Sequence, residues 1–298
     1  MPPVAPSASR PAEDGFALLA VVVFLLVVTT MMTGFVLAAR AGLDQARDGV
    51  AEARLDLLAE GLGRVAARAV FIAEATETAP PFALNASPAA CREGDLTIQL
   101  QVQDQQGLVD LNAAGRELLV LALRSLGLPA AAAAEQADAI LAYRTPPEDD
   151  APPLADLQLR DGLKQAPFAA VEELHAFPVL AELPIDRLTG TFTVHSDQPR
   201  ATAARLPAPL AAVLGRSNLL EDEASSGSPV RIDIFVRAGD DTLGYSGRIV
   251  EERRGEAVTL ERSIAPGRAI AAPPDTVVPG CAALFGPGVT VHLREATA

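Results

Sequence analysis

An α+β fold is predicted from this sequence: a long N-terminal helix, then an antiparallel sheet interrupted by a block of short helices. Three observations predict it. Residues 16–39 carry no charged side chain, and no proline follows until Pro80. Residues 96–102, "LTIQLQV", alternate apolar and polar, and strand-like runs return only after "EDEASSGSP" at 221–229. Between these two regions, apolar positions recur at helical spacing and are broken up by proline and glycine.

The helix comes first. A charge-free stretch of 24 residues spans about 36 Å at 1.5 Å per residue, enough to cross a bilayer core with some tilt. A secretory signal has a shorter apolar region, about 7–15 residues, behind a basic start. Here only Arg10 precedes the stretch, and "LAAR" at 37–40 is a weak cleavage signal. A retained anchor is therefore favoured over a removed signal peptide. Beyond it, Leu43, Ala46, Val50, Ala53, Leu57, Val65, Ala69 and Ile72 form an apolar stripe. Charged residues fill the other faces, with a like pair at Asp48/Glu52 and a favourable one at Glu60/Arg64. The pattern fits either an anchor with a stalk or one helix of about 55 residues, half in lipid and half laid on a globular domain.

The remaining elements follow in order. Leu96, Ile98, Leu100 and Val102 would face inward on a half-buried strand. Asn112 is the expected N-cap of a helix over 113–126, and Gly127 and Pro129 would end it and open the next, an Ala-rich helix over 130–142. "RTPPEDDAPP" reads as an acidic loop, and short helices are expected over 168–177 and 206–214. "VRIDIFVRAG" and "LGYSGRIVEERRG" read as a hairpin about "AGDDT", "AVTLERSIA" as a further strand, and "VTVHLRE" as the strand that ends the sheet.

Composition narrows the function. The chain has 24 Lys and Arg against 38 Asp and Glu, a net charge of −14. Nucleic-acid binding needs clustered cations, so that partner is disfavoured. Cys91 and Cys281 have no metal or redox spacing; they would form one disulfide in an oxidising compartment or stay as two buried thiols. His175, His195 and His292 lie in separate elements without ligand spacing, and no hydrolase, metalloprotease or P-loop motif occurs. No enzyme is expected. Glu148, Asp149, Asp150 and Asp156 form one acidic cluster and Glu221, Asp222 and Glu223 another. Each reads as a weak calcium site or as a solvated loop.

The N-terminus resembles a prepilin. A short polar leader ends in Gly15, and Phe16 opens the apolar helix. The resemblance implies cleavage between them by prepilin peptidase and N-methylation of Phe16, although Asp14 stands where the family carries Lys or Arg. The fifth residue of the cleaved chain is usually a Glu that pairs with a neighbour's amine. Here it is Ala20, as in the minor pseudopilins of type II secretion called the general secretion pathway protein K family. "GLVDLNAAGRELLVLALRSLGL", "ADAILAYR", "PFAAVEELHAFPVL" and "LTGTFTVHS" resemble, in order, that family's inserted helical domain and its return to a strand.

The resemblance implies a pilin-like long helix packed on an antiparallel sheet with an inserted helical domain, similar to SAM-like and helix-hairpin-helix units. It divides the chain into a leader (1–15), a membrane half-helix (16–39), a periplasmic half-helix (40–79), a first part of the head (80–106), the insertion (107–215) and a second part of the head (216–298). It implies a subunit at the pseudopilus tip, anchored once in the bacterial inner membrane with its C-terminal part in the periplasm. Leu43, Val50, Leu57, Val65 and Ile72 would join neighbouring helices. The implied partners are other minor pseudopilins, the inner-membrane secretion platform and the peptidase, and calcium is the implied metal of the insertion. Two alternatives stay open: a minor pilin or competence pseudopilus component, and an uncut, signal-anchored periplasmic binding or scaffold protein. Arg40, Arg47 and Arg54 follow the apolar stretch while Arg10 precedes it. Basic residues favour the cytoplasmic side, so this asymmetry opposes the implied orientation.

Overall fold

A computed structural model describes residues 14–146, 164–239, 242–263 and 277–297. The acidic cluster at Glu148, Asp149, Asp150 and Asp156 lies outside the described residues. The chain divides into two units, Met1–Ala53 and Arg54–Ala298.

Helix α1 (Asp14–Ala75) runs for 62 residues and accounts for the described part of the first unit. Its apolar side chains there are exposed; Leu18, Phe24, Met31 and Phe35 are 66–76% accessible. The hydroxyls of Thr29, Thr30 and Thr33 turn back onto carbonyls three and four residues earlier at 2.8–2.9 Å. Polar atoms satisfied within the helix remove the main obstacle to lipid burial.

In the second unit the end of α1 packs on a six-stranded sheet. In chain order its strands are β1 (Ala89–Glu93), β2 (Leu96–Asp104), β7 (Val230–Ala238), β8 (Thr242–Arg253), β9 (Glu256–Ser263) and β10 (Val277–Pro279). Across the sheet the order is β10-β1-β2-β7-β8-β9. Every pair is antiparallel except β1 with β10, which is parallel.

Leu55, Ala59, Leu62, Ala66 and Val70 of α1 are buried in one core with Ile98, Leu100 and Val102 of β2 and Ile232, Ile234 and Val236 of β7. Steps of three and four residues keep that face turned to the sheet. Gly244 permits the approach, since a Cβ there would lie 2.3 Å from the Leu55 carbonyl carbon. Beside it, the Tyr245 amide donates to Asp56 Oδ1 at 2.9 Å. β2 is buried on both faces, because Gln99 and Gln103 are also covered.

Between β2 and β7 lies the second core. Its elements are β3 (Val109–Asp110), α2 (Arg116–Ser125), α3 (Ala130–Arg144), a 3-10 turn at Val171–Ala176, α4 (Ile185–Thr189), β4 (Phe192–Thr193), β5 (Ala201–Thr202), α5 (Ala208–Leu214) and β6 (Leu220–Glu221). Leu119, Leu123, Ile140, Leu174, Phe177 and Leu210 fill it, each at most 1% exposed. Tyr143, Phe168 and Phe177 form an aromatic trio with ring centroids 4.8, 5.4 and 6.4 Å apart.

Two expectations are corrected. The tail "VTVHLRE" is helical, not a strand. It belongs to α7 (Pro287–Thr297), which follows α6 (Ala282–Phe285), and it opens at Gly286 (φ 86°) and Pro287. Val289 and Leu293 reach the sheet core at helical spacing, and β10 takes the strand position on that edge. Asn112 does not cap α2, whose N-cap is Gly115. The Asn112 side chain instead clamps a distant loop, accepting from Phe168 N at 2.7 Å and donating to Phe168 O at 3.0 Å.

Candidate assembly surface

Gly15 and Phe16 lie in the first turn of α1. Ala20 is exposed on the same helix, with no charged residue before Arg40. Among the described residues, one helix is long and apolar enough to cross a membrane.

Four of the five residues assigned to helix joining project outward. Leu43, Val50, Leu57 and Ile72 are 50–69% exposed, while Val65 is half-buried against the sheet core. The helix therefore carries two apolar stripes. Leu57 and Ala59 are two residues apart, roughly 200° around the helix, and only the Ala59 side packs inward. The sequence stripe marks the outward face at Leu43, Val50, Leu57 and Ile72, while its Val65 and Ala69 lean on the core that the Leu55–Val70 face fills.

Glu60 and three guanidiniums gather where α1 crosses the sheet. Arg64, Arg248 and Arg262 approach the same Glu60 oxygen at 2.8, 3.5 and 3.7 Å. Burial works against the Glu60 charge, but Arg248, Arg64 and Arg262 outweigh it and hold the carboxyl below its ordinary pKa. Arg248 is 5% exposed, and burial lowers its pKa, with Arg262 and Arg64 lowering it further.

The insertion is held at its root by polar side chains. Asp104 Oδ1 accepts from Gln106 N at 2.9 Å and Ser228 Oγ at 2.6 Å, and Gln105 N donates to Pro229 O at 2.9 Å. Burial raises the Asp104 pKa, while Ser228, Gln106 and Arg205 oppose the rise. Gly107 is required here, since a Cβ would stand 1.9 Å from Arg205 O. Further in, Asp110 is 1% exposed and accepts five hydrogen bonds, from Asn112 N, Ala113 N, Ser196 N, Ser196 Oγ and Asp197 N. It fixes the start of α2 to the strand return at 193–197. Arg144 donates to the Leu111 and Ala114 carbonyls. Glu173 accepts from Tyr143, Lys164 and Ala169 at 2.7–3.0 Å.

Cys91 and Cys281 are joined by a disulfide that ties β1 to the start of α6. The histidines are separate. His175 contacts Leu183 O at 3.1 Å, and His195 reaches Glu261 of β9 at 3.1 Å, linking the insertion to the sheet. Hydrogen bonding from His195 holds Glu261 below its ordinary pKa. Among the described residues, no group of three or more His, Cys, Asp or Glu is placed to hold a metal ion. Glu221 ends β6, where it pairs with Thr202 of β5.

Sequence reasoning missed the Asp110 pin and the arginines around Glu60. Asp110 could have been suspected as a lone carboxylate inside the apolar run "LVDL". Arg64, Arg248 and Arg262 are far apart in the chain, and no local pattern joins them.

No protein-family profile and no curated protein matches the sequence. Among solved structures, a chain in the crystal structure of the GspK-GspI-GspJ complex from the enterotoxigenic Escherichia coli Type 2 Secretion System is similar in outline. The similarity covers 77% of this chain and 99% of that one, with a TM-score of 0.47 and 11% sequence identity.

Proposed function

We propose that this chain is a membrane-anchored minor pseudopilin of type II secretion, working by packing and charge pairing rather than catalysis. The observation that carries the reading is α1 itself. One helix starts at a Gly15-Phe16 junction, carries an exposed charge-free stretch, and ends with its Leu55–Val70 face in the core of a sheet domain. A plain anchor has no need to be continuous with a core helix.

The finer assignment follows. Cleavage after Gly15 frees the Phe16 amine, which would pair with the carboxylate of the next subunit. Ala20 offers no carboxylate to a subunit above, so the chain would end a filament rather than extend it. The outward stripe at Leu43, Val50, Leu57 and Ile72 would pack on neighbouring helices, and the insertion would block addition on the tip side. Residues 16–39 would sit in the inner membrane with the rest in the periplasm, a compartment that suits the Cys91–Cys281 disulfide. Partner subunits, the secretion platform and the prepilin peptidase belong to this proposal, as does a calcium site at Glu148, Asp149, Asp150 and Asp156.

Intact-mass and N-terminal peptide mapping of protein extracted from its host membrane tests the reading. N-methyl-Phe16 at the start is the expected result. A start at Met1 or Pro2 would identify an uncut anchor, and a start after residue 39 a secreted protein; either sinks the assembly role.

A further inference from the structure

α1 does not cover the whole sheet. Beyond it, β8 and β9 leave an open groove of about 580 Å³ whose walls include Phe71, Ile72 and Val250 and whose β9 side carries the small Ala257 and Thr259 between Glu256 and Arg262. β9 is the last strand of the sheet order, and among the described residues no strand pairs with its outer edge.

The groove is also short of negative charge. Arg64, Arg248 and Arg262 share the single Glu60 carboxylate, and Arg68 lines the same wall. Glu252 and Glu256 add partial compensation from the hairpin. Arg248 is held with its side chain 6% exposed, and its Nε has no hydrogen-bond partner. Arg248 is buried there, while Arg64 and Arg262 are mostly exposed and present their charge at the groove rim. The local excess of cation stands out in a chain of net charge −14.

We propose that this groove takes an acidic, extended segment of a partner protein, paired along the free edge of β9 with a carboxylate set among Arg64, Arg68 and Arg262. The ladder on β9 supplies the backbone hydrogen bonds of an added strand, and the arginines select its side chains. Ile72, half exposed in the same groove, offers apolar contact to a residue two along from the carboxylate, which faces the same side. The proposal gives the partner chemistry of the assembly role above and rests on that role.

The test is site-specific photocrosslinking of the full chain in its host, with p-benzoylphenylalanine replacing Glu256 at the groove rim or, separately, Val50 on the outward stripe. The expected result is a crosslink from position 256 to an Asp- or Glu-rich stretch of another protein, mapped by mass spectrometry. Its yield should fall at least fivefold in Arg68→Glu/Arg262→Glu, two exposed positions, while the position-50 crosslink persists. A position-256 crosslink to a basic segment, to lipid or to a second copy would overturn the groove proposal alone. So would no crosslink at 256 with a good one at 50, or an acidic crosslink indifferent to charge reversal. Loss of crosslinks at both positions would overturn the assembly role and the groove with it.

Discussion

The two cores are built by different means. In the sheet core, long elements do the work: α1 and β2, β7 and β8 bury aliphatic ridges on one another, and a disulfide closes the far edge. Among the described residues of the insertion no helix exceeds 15 residues and no strand exceeds two. Short elements leave many backbone groups without ladder partners. Here side chains supply them: Asp110 for the 112–113 turn and the 196–197 return, Asn112 for Phe168, Glu173 for Ala169 and Arg144 for two carbonyls. The lesson is that a helical block without long helices holds its shape through buried polar pins, whereas the sheet domain relies on apolar area.

The two regions can be followed apart. The chain has two tyrosines and no tryptophan; Tyr143 sits in the insertion and Tyr245 on the sheet. A Tyr245→Phe background reports the insertion, and a Tyr143→Phe background reports the sheet. In urea titrations, breaking Cys91–Cys281 should have the largest effect, about 4 kcal/mol, and it should fall on the sheet signal. An equal loss at both tyrosines would make the two cores one cooperative unit and erase the contrast. Leu62→Ala should cost the sheet about 3 kcal/mol, since Leu62 is 2% exposed against the strands. Asn112→Ala should cost the insertion about 2 kcal/mol by orphaning the Phe168 amide and carbonyl.

A smaller effect is set by pH. Burial works to raise the Glu173 pKa, but Lys164, the Ala169 amide and Tyr143 outweigh it and the folded value is lowered. A lowered carboxyl contributes stability that is complete above its ordinary value of 4.5 and is lost as pH falls through the folded value. Acid titration should therefore weaken the insertion as pH falls below 4.5, and Glu173→Gln should flatten that dependence. The smallest effect is Leu57→Ala, within about 0.5 kcal/mol, because Leu57 is 69% exposed. A large loss there would mean that the outward stripe helps to fold the chain instead of serving the proposed helix contacts.

Much of the architecture was legible because it rests on periodicity. The charge-free stretch, the alternation at 96–102 and the hairpin about 239–242 each carry a local signal, and each corresponds to an element of the structure. The tail misled because "VTVHL" alternates like a strand, yet Gly286 and Pro287 start a helix there. Asn112 misled because an N-cap and a long-range clamp use the same side chain, and only the position of Phe168 decides between them. On α1 the sequence pattern marked one apolar stripe, but the sheet takes a different face, Leu55, Ala59, Leu62, Ala66 and Val70, with the close approach at Gly244.

The root of the insertion bears on how such a protein could arise. Asp104 and Val230 are direct partners on neighbouring antiparallel strands, and Gln105 N bonds to Pro229 O across the gap. Topologically β2 and β7 form an ordinary hairpin whose loop has grown into a domain. Loop closure becomes only slightly harder as a loop lengthens, about 0.6 kcal/mol for each doubling. A sheet with such a socket can accept, lose or exchange its cargo domain while its own strands keep register, so the inserted part can diversify while the sheet that carries it stays unchanged.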